Sequence, residues 1–154
     1  MNTKNLFSIA HDHFHGLMLA QMIKRGSTTS DVMPVTLEGK AKYTVRFFEQ
    51  ELENHFYLEE HVLQPEVKGI SPEIDAIFAK LVKEHNNIRK LAKDLKIEED
   101  LEDKLDLFGR MLEEHITTEE KILFPKIQEV LSEHDLQQLA ERLNKKGYEN
   151  IFRY

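Results

Sequence analysis

Apolar residues recur along this chain at alternating steps of four and three, the rhythm of helices that bury one face. One series runs Ala41, Val45, Phe48, Leu52, His55, Glu59, Val62. A second runs Ile74, Phe78, Leu81, His85, Ile88, Ala92, Leu95, and a third Leu101, Leu105, Phe108, Leu112, His115, Glu119, Ile122. No segment alternates polar and apolar for long, and no Asn-Gly or Asp-Gly hairpin turn occurs. The pattern predicts four long helices at about 4–25, 37–65, 72–95 and 99–131. Gly and Pro cluster between them, in Gly26–Pro34 and in Lys68–Pro72, where Ser71 is placed to cap and Pro72 to open the next helix. A shorter fifth helix begins at Ser132, whose Ser-Glu-His-Asp sequence fits a helix start, and the tail from Lys145 is left unassigned. An all-α, antiparallel bundle with short loops follows, read as one domain over 1–154 with its bundle core at about 5–131.

Composition narrows the chemistry. With 21 Lys+Arg against 28 Asp+Glu the formal charge is −7, which argues against non-specific nucleic-acid binding. There is no cysteine, so disulfides, thiolate zinc sites, iron–sulfur ligation and a cysteine nucleophile are excluded together. Any metal must be held through nitrogen and oxygen. The longest stretch free of Asp, Glu, Lys and Arg is about Phe14–Ile23, well short of the roughly 18 apolar residues a membrane span needs. The N-terminal sequence has no apolar export region, so a cytoplasmic home is expected. Met18, Met22 and Met111 read as core filler.

The stripes are interrupted by histidine and glutamate at core positions. His55-Phe-Tyr-Leu-Glu59-Glu60-His-Val-Leu63-Gln-Pro65 reappears sixty residues later as His115-Ile-Thr-Thr-Glu119-Glu120-Lys-Ile-Leu123-Phe-Pro125. A weaker echo joins Asp12-His13…Leu19-Ala20 to Glu84-His85…Leu91-Ala92. The chain therefore reads as two helix pairs related by a pseudo-twofold axis. Residues four apart share a helix face, so His55 and Glu59 can reach one site, as can His115 and Glu119. Buried carboxylates without an internal Arg or Lys need compensating charge, and metal ions supply it. Imidazole with carboxylate suits iron, manganese or zinc. Four neutral histidines and two glutamates contribute −2, which favours two divalent ions and a bridging oxygen or other anion. Glu60 and Glu120 lie one step off the stripe and read as solvated or supporting groups, while His61 and His134 read as surface residues.

These residues resemble the hemerythrin-like family, the HHE cation-binding domain, in its bacterial single-domain form. The resemblance rests on Asp12-His13, His55…Glu59-Glu60…Leu63-Gln-Pro65, Glu84-His85-Asn-Asn-Ile-Arg89 and His115…Glu119-Glu120…Leu123-Phe-Pro125, and spans about 5–142. It implies an up-down-up-down four-helix bundle around a non-haem di-iron centre bridged by carboxylates, with His13, His55, Glu59, His85, His115 and Glu119 as ligands. Two departures matter. Oxygen-carrying members have a second histidine four residues after the third-helix ligand, where this chain has Arg89, and their fourth-helix carboxylate falls one residue later than Glu119. About two of twelve coordination positions would then be open, which favours oxidative, peroxide or NO chemistry over simple oxygen carriage. The first helix offers His11, His13 and His15, which point roughly 200° apart in succession. His13 shares a stripe with Leu6, Ala10, Leu17 and Ala20, and His11 with Phe7, Phe14 and Met18; His13 is the expected ligand and His11 a possible addition.

The expected function is a cytoplasmic di-iron binding module, with manganese or zinc as substitutes, that engages O₂, NO or peroxide-level oxygen for sensing, scavenging or iron handling. One rival is a di-iron oxidase or peroxidase; another is a metal-free helical interaction domain whose polar cluster only specifies packing. Neither nucleic acid nor membrane is an expected partner. Ferritin-like chemistry uses Glu-x-x-His, in the reverse order, and zinc proteolysis needs His-Glu-x-x-His, which does not occur.

Overall fold

The computed structural model describes residues 7–26 and 34–151, with side chains for 13–26 and 34–146. The described residues form five helices and no strand: α1 (Phe7–Ile23), α2 (37–67), α3 (Pro72–Asp94), α4 (101–130) and α5 (Glu133–Ile151). Most of the Gly26–Pro34 connection and the end of the tail lie outside the described residues. The α5 helix is 19 residues long, so it is not short, and it takes up much of the tail that the sequence left unassigned. Its start is the expected one, since the Ser132 hydroxyl accepts the Asp135 N–H at 3.1 Å. Ser71 occupies the cap position ahead of Pro72, but its hydroxyl makes no capping bond. Gly69 sits at φ +83 in that connection, a conformation that favours glycine, and its N–H donates to Asp75 at 3.1 Å.

Helices α2 and α4 are not uniform. Each carries a widened turn, Glu59–Leu63 and Glu119–Leu123, in which the Gln64 and Phe124 N–H groups bond back five residues to Glu59 and Glu119. Pro65 and Pro125 follow directly. A proline ring clashes with the carbonyl four residues back, and widening the preceding turn relieves that clash. A third widened turn, Phe48–Leu52, has no proline after it.

One extra residue per turn rotates the rest of the helix by about 100°. The core positions after Glu59 therefore pass to Leu63 and Val67, while Val62, which the unbroken rhythm would bury, is only half-buried. In α4 the same step buries Leu123 and Ile127 and leaves Ile122 45% exposed. Met18, expected in the core, is also exposed.

The buried apolar residues form two layers. One contains Phe48, Leu52, Phe56, Ile88, Leu105, Phe108 and Leu112; the other contains Leu63, Phe78, Leu81, Leu123, Phe124 and Ile127, with Leu136, Leu139 and Leu143 of α5. The buried polar residues His13, His55, Glu59, His85, His115 and Glu119 belong to neither layer. Helices α1 and α4 approach closely at Gly109, where an added Cβ would lie 3.1 Å from the Ala20 carbonyl oxygen. No helix among the described residues is long and apolar enough to cross a membrane.

Candidate metal centre

The i, i+4 spacing on α2 and α4 puts His55 with Glu59 and His115 with Glu119, and α1 and α3 bring His13 and His85 to the same interior volume. All six are at most 2% exposed. They form two overlapping groups, His13–His55–Glu59–Glu119 and Glu59–His85–His115–Glu119, each with its ligand atoms within 4.8 Å of one another. Both glutamates belong to both groups. This is the arrangement two bridging carboxylates would require.

The ring nitrogens converge. His85 Nε2 lies 3.1 Å from Glu59 and 3.1 Å from His115 Nε2. His13 Nε2 lies 3.2 Å from Glu119, and His115 Nε2 2.5 Å from the same residue. Two facing imidazole nitrogens can share at most one proton in a hydrogen bond, so this packing of lone pairs suits a cation better than it suits a proton network. Two buried carboxylate oxygens accept no hydrogen bond, Glu59 Oε2 and Glu119 Oε1, the second of which faces the His115 Nε2 at 2.5 Å. Orphaned acceptors at zero exposure are costly unless something positive meets them. The nitrogen and oxygen donor set fits iron, manganese or zinc, so the residues present fit a metal pair.

An outer ring of carboxylates turns three of the four imidazoles inward. His85 Nδ1 donates to Glu60 at 2.6 Å, His13 Nδ1 to Glu120 at 3.1 Å, and His115 Nδ1 to Glu84 at 2.8 Å. Donating Nδ1–H outward leaves Nε2 as the inward-facing ligand atom and raises its basicity. Glu60 and Glu120 are thus supporting groups, as their position off the stripe suggested. The sequence reading missed Glu84 in that role. Its signal was the acidic residue before each lone histidine; the α1 counterpart, Asp12, has a side chain outside the described residues, as does His11. The α1 face that His11 shares with Phe14 and Met18 is exposed at those two residues, 60% and 42%. His15 is directed elsewhere, 3.3 Å from Glu51 near the surface. His61 and His134 are exposed.

Electrostatically the metal-free cluster is a set of buried ion pairs. Burial opposes charge on His115, but Glu119 outweighs it, with Glu59 and Glu84 helping, and the imidazole is held well above its ordinary value. His13 is raised against its own burial by Glu119 and Glu120, and His85 by Glu59 and Glu60. Burial and the neighbouring Glu119 charge push Glu59 up, yet His55 and His115 bring it down to about 2. Glu119, despite its burial, is lowered well below the carboxylate range by His115 and His13. In the metal-free state, protons on the imidazoles supply the positive charge that ions would supply.

Arg89 does not enter this volume. Its guanidinium bonds Glu53 through Nε and Nη2 at 2.9 and 2.7 Å, and Glu60 through Nη1 at 2.9 Å. Phe56 stacks on the His85 ring at 4.0 Å, and Phe124 on the His13 ring at 5.4 Å. These flanking rings keep water from the imidazole faces.

No curated protein and no solved structure matches the chain. The family model for the hemerythrin HHE cation-binding domain matches residues 9–127, a span that takes in all six buried histidines and glutamates and both repeats of the His-x-x-x-Glu text. On that match, together with the helical bundle that carries those residues, the chain belongs to the hemerythrin HHE cation-binding family.

Proposed function

We propose that this chain holds two iron ions in the His/Glu cluster and engages O₂, NO or peroxide-level oxygen there, in sensing, scavenging or iron handling. The observation that carries the reading is the pair of overlapping four-residue groups sharing Glu59 and Glu119. Each shared carboxylate can touch both ions, and the four imidazoles divide two and two. Iron, when bound, would supply affinity for small oxidising or diatomic ligands. The chain's own residues do the rest. Glu59 and Glu119 offset part of the ionic charge, Glu60, Glu84 and Glu120 fix the imidazole orientation, and the apolar layers limit water. Manganese or zinc could occupy the same donors. A packing-only role leaves the buried Glu59 Oε2 and Glu119 Oε1 without a hydrogen bond, which counts against it. A cytoplasmic location belongs to the same proposal.

The test is elemental analysis of protein purified from iron-replete cells, with visible spectra recorded before and after admitting air. The expected result is close to two ions per chain, mostly iron, with an oxygen-dependent spectrum. A reproducible value near zero with the helices intact would overturn the metal reading, and a firm value of one would overturn the pair.

A further inference from the structure

The pseudo-twofold axis pairs His13 with His85 and Glu120 with Glu60, but the surroundings of the two pairs differ. Glu60 is 17% exposed, and one of its oxygens, Oε2, accepts both from His85 Nδ1 at 2.6 Å and from Arg89 Nη1 at 2.9 Å. Arg89 is itself fixed, by its fork on Glu53, a bond to Asn86 at 3.0 Å, and its position 5.5 Å from the centre of the Phe56 ring. That same ring stacks on His85. A chain of contacts therefore runs from the surface carboxylate Glu53 through Arg89 and Glu60 to His85, with Arg89, Glu60 and His85 each held by at least two partners. On the other side, Glu120 is 44% exposed, and among the described residues its hydrogen bond is with His13 alone. The position equivalent to Arg89, four residues after the α1 histidine, is Leu17.

We infer that Arg89 is a positioning residue that preorganises the His85–His115 half of the cluster through Glu60, so that this half takes up its metal ion first and the His13–His55 half second. The inference rests on the metal reading above. Its physical basis is that a ligand already held in its bound orientation loses less freedom on binding, and that partners behind a histidine ligand change metal affinity by about 10- to 100-fold when removed. Because Arg89 acts one bond further out, its own effect should fall near the lower end, about 10-fold.

The experiment is an anaerobic titration of metal-stripped full-length protein with Co²⁺, followed by visible absorption and competed with a chelator of known affinity. The wild type should bind in two resolved steps. Arg89→Leu should weaken the first step about tenfold and leave the second nearly unchanged, while Arg89→Lys, which keeps a donor for Glu60, should recover part of the loss. Glu120→Gln should weaken the second step alone. Circular dichroism of the metal-free variants separates this from a general loss of fold, which would weaken both steps together. Unresolved steps in the wild type, or equal effects of Arg89→Leu on both steps, would overturn the inference. A wild type that keeps its helices and binds no Co²⁺ would instead overturn the metal reading on which it stands.

Discussion

Loading the cluster with metal must expel protons from imidazoles that face buried carboxylates. In the metal-free state His13, His85 and His115 are all raised above their ordinary value of 6.5 by the carboxylates they face, in spite of burial. For such a group the stabilising contribution is fully present below the unfolded value and is lost as pH rises through the folded one. Glu59 and Glu119 are shifted the other way from their ordinary 4.5, so their contribution is present above that value and is lost as pH falls through the folded one, which for Glu59 is about 2. Both contributions coexist between about 4.5 and 6.5, and that is where metal-free protein should be most heat-stable.

Metal needs those imidazoles deprotonated. With a proton on His13 and one shared between the facing His85 and His115 nitrogens, binding two ions releases about two, and the overall binding constant should climb by up to about a hundredfold per pH unit, about 3 kcal/mol at about 1.4 kcal/mol per proton. The slope should flatten once pH passes the raised imidazole values. The assay is calorimetric titration of stripped protein with Zn²⁺ at several pH values, in buffers of different ionisation enthalpy, which counts protons directly. Thermal melts run alongside should show the gap between loaded and stripped protein widening as pH rises from 6 to 8. Release of less than one proton per chain near pH 6.5, or an affinity independent of pH from 5.5 to 8, would refute the description of the cluster as protonated ion pairs.

Further outcomes follow from particular contacts. Glu59→Ala and Glu119→Ala should each lose most of both ions, since each carboxylate belongs to both donor groups, whereas Glu60→Ala and Glu120→Ala should keep metal with affinity lowered about 10- to 100-fold; elemental analysis after gel filtration distinguishes the two classes. Gly109→Ala should lower the melting temperature, because its Cβ would press on the Ala20 carbonyl oxygen at 3.1 Å, and backbone yields less readily than a side chain; the cost, about 1–3 kcal/mol, exceeds the helix-propensity gain of about 1. Gly16→Ala, whose closest neighbour is the tip of the Ile116 side chain, should be nearly neutral in the same melts. Leu143→Ala should cost about 2–5 kcal/mol in denaturant unfolding, since Leu143 is fully buried where α5 closes the second apolar layer.

The cluster was legible in the sequence because four-residue spacing is a local property. His55–Glu59 and His115–Glu119 had to share faces, and the rhythm of Phe78, Leu81, Ile88 and Ala92 fixed the phase of His85. Helix α1 was harder to phase. From Phe14 to Ile23 it is apolar on nearly every side, so no stripe told Met18, which faces solvent, from Leu19, which is buried. The links from His115 to Glu84 and from Arg89 to Glu53 and Glu60 join different helices, so the acidic residue before each lone histidine was visible but its partner across the bundle was not.

The positions beyond the two glutamates were misplaced for a different reason, and it bears on how the repeat works. A constant step of three and four assumes that every turn holds 3.6 residues. Pro65 and Pro125, six residues after Glu59 and Glu119, each follow a turn that holds one more. The prolines were read in the sequence as part of a recurring text, without their mechanical effect. With the turn widened, Glu59 closes the stripe that runs through His55, while Leu63 and Val67 begin a new one. Without it, the exposed Ile122 rather than Leu123 would face the interior after Glu119, and the layer containing Phe124 and Ile127 would be out of phase with α5. The Glu-to-Pro spacing therefore links the polar centre to the apolar layer beside it. It lets one continuous helix supply a metal-binding face and then, rotated by about 100°, the apolar face that packs against a fifth helix.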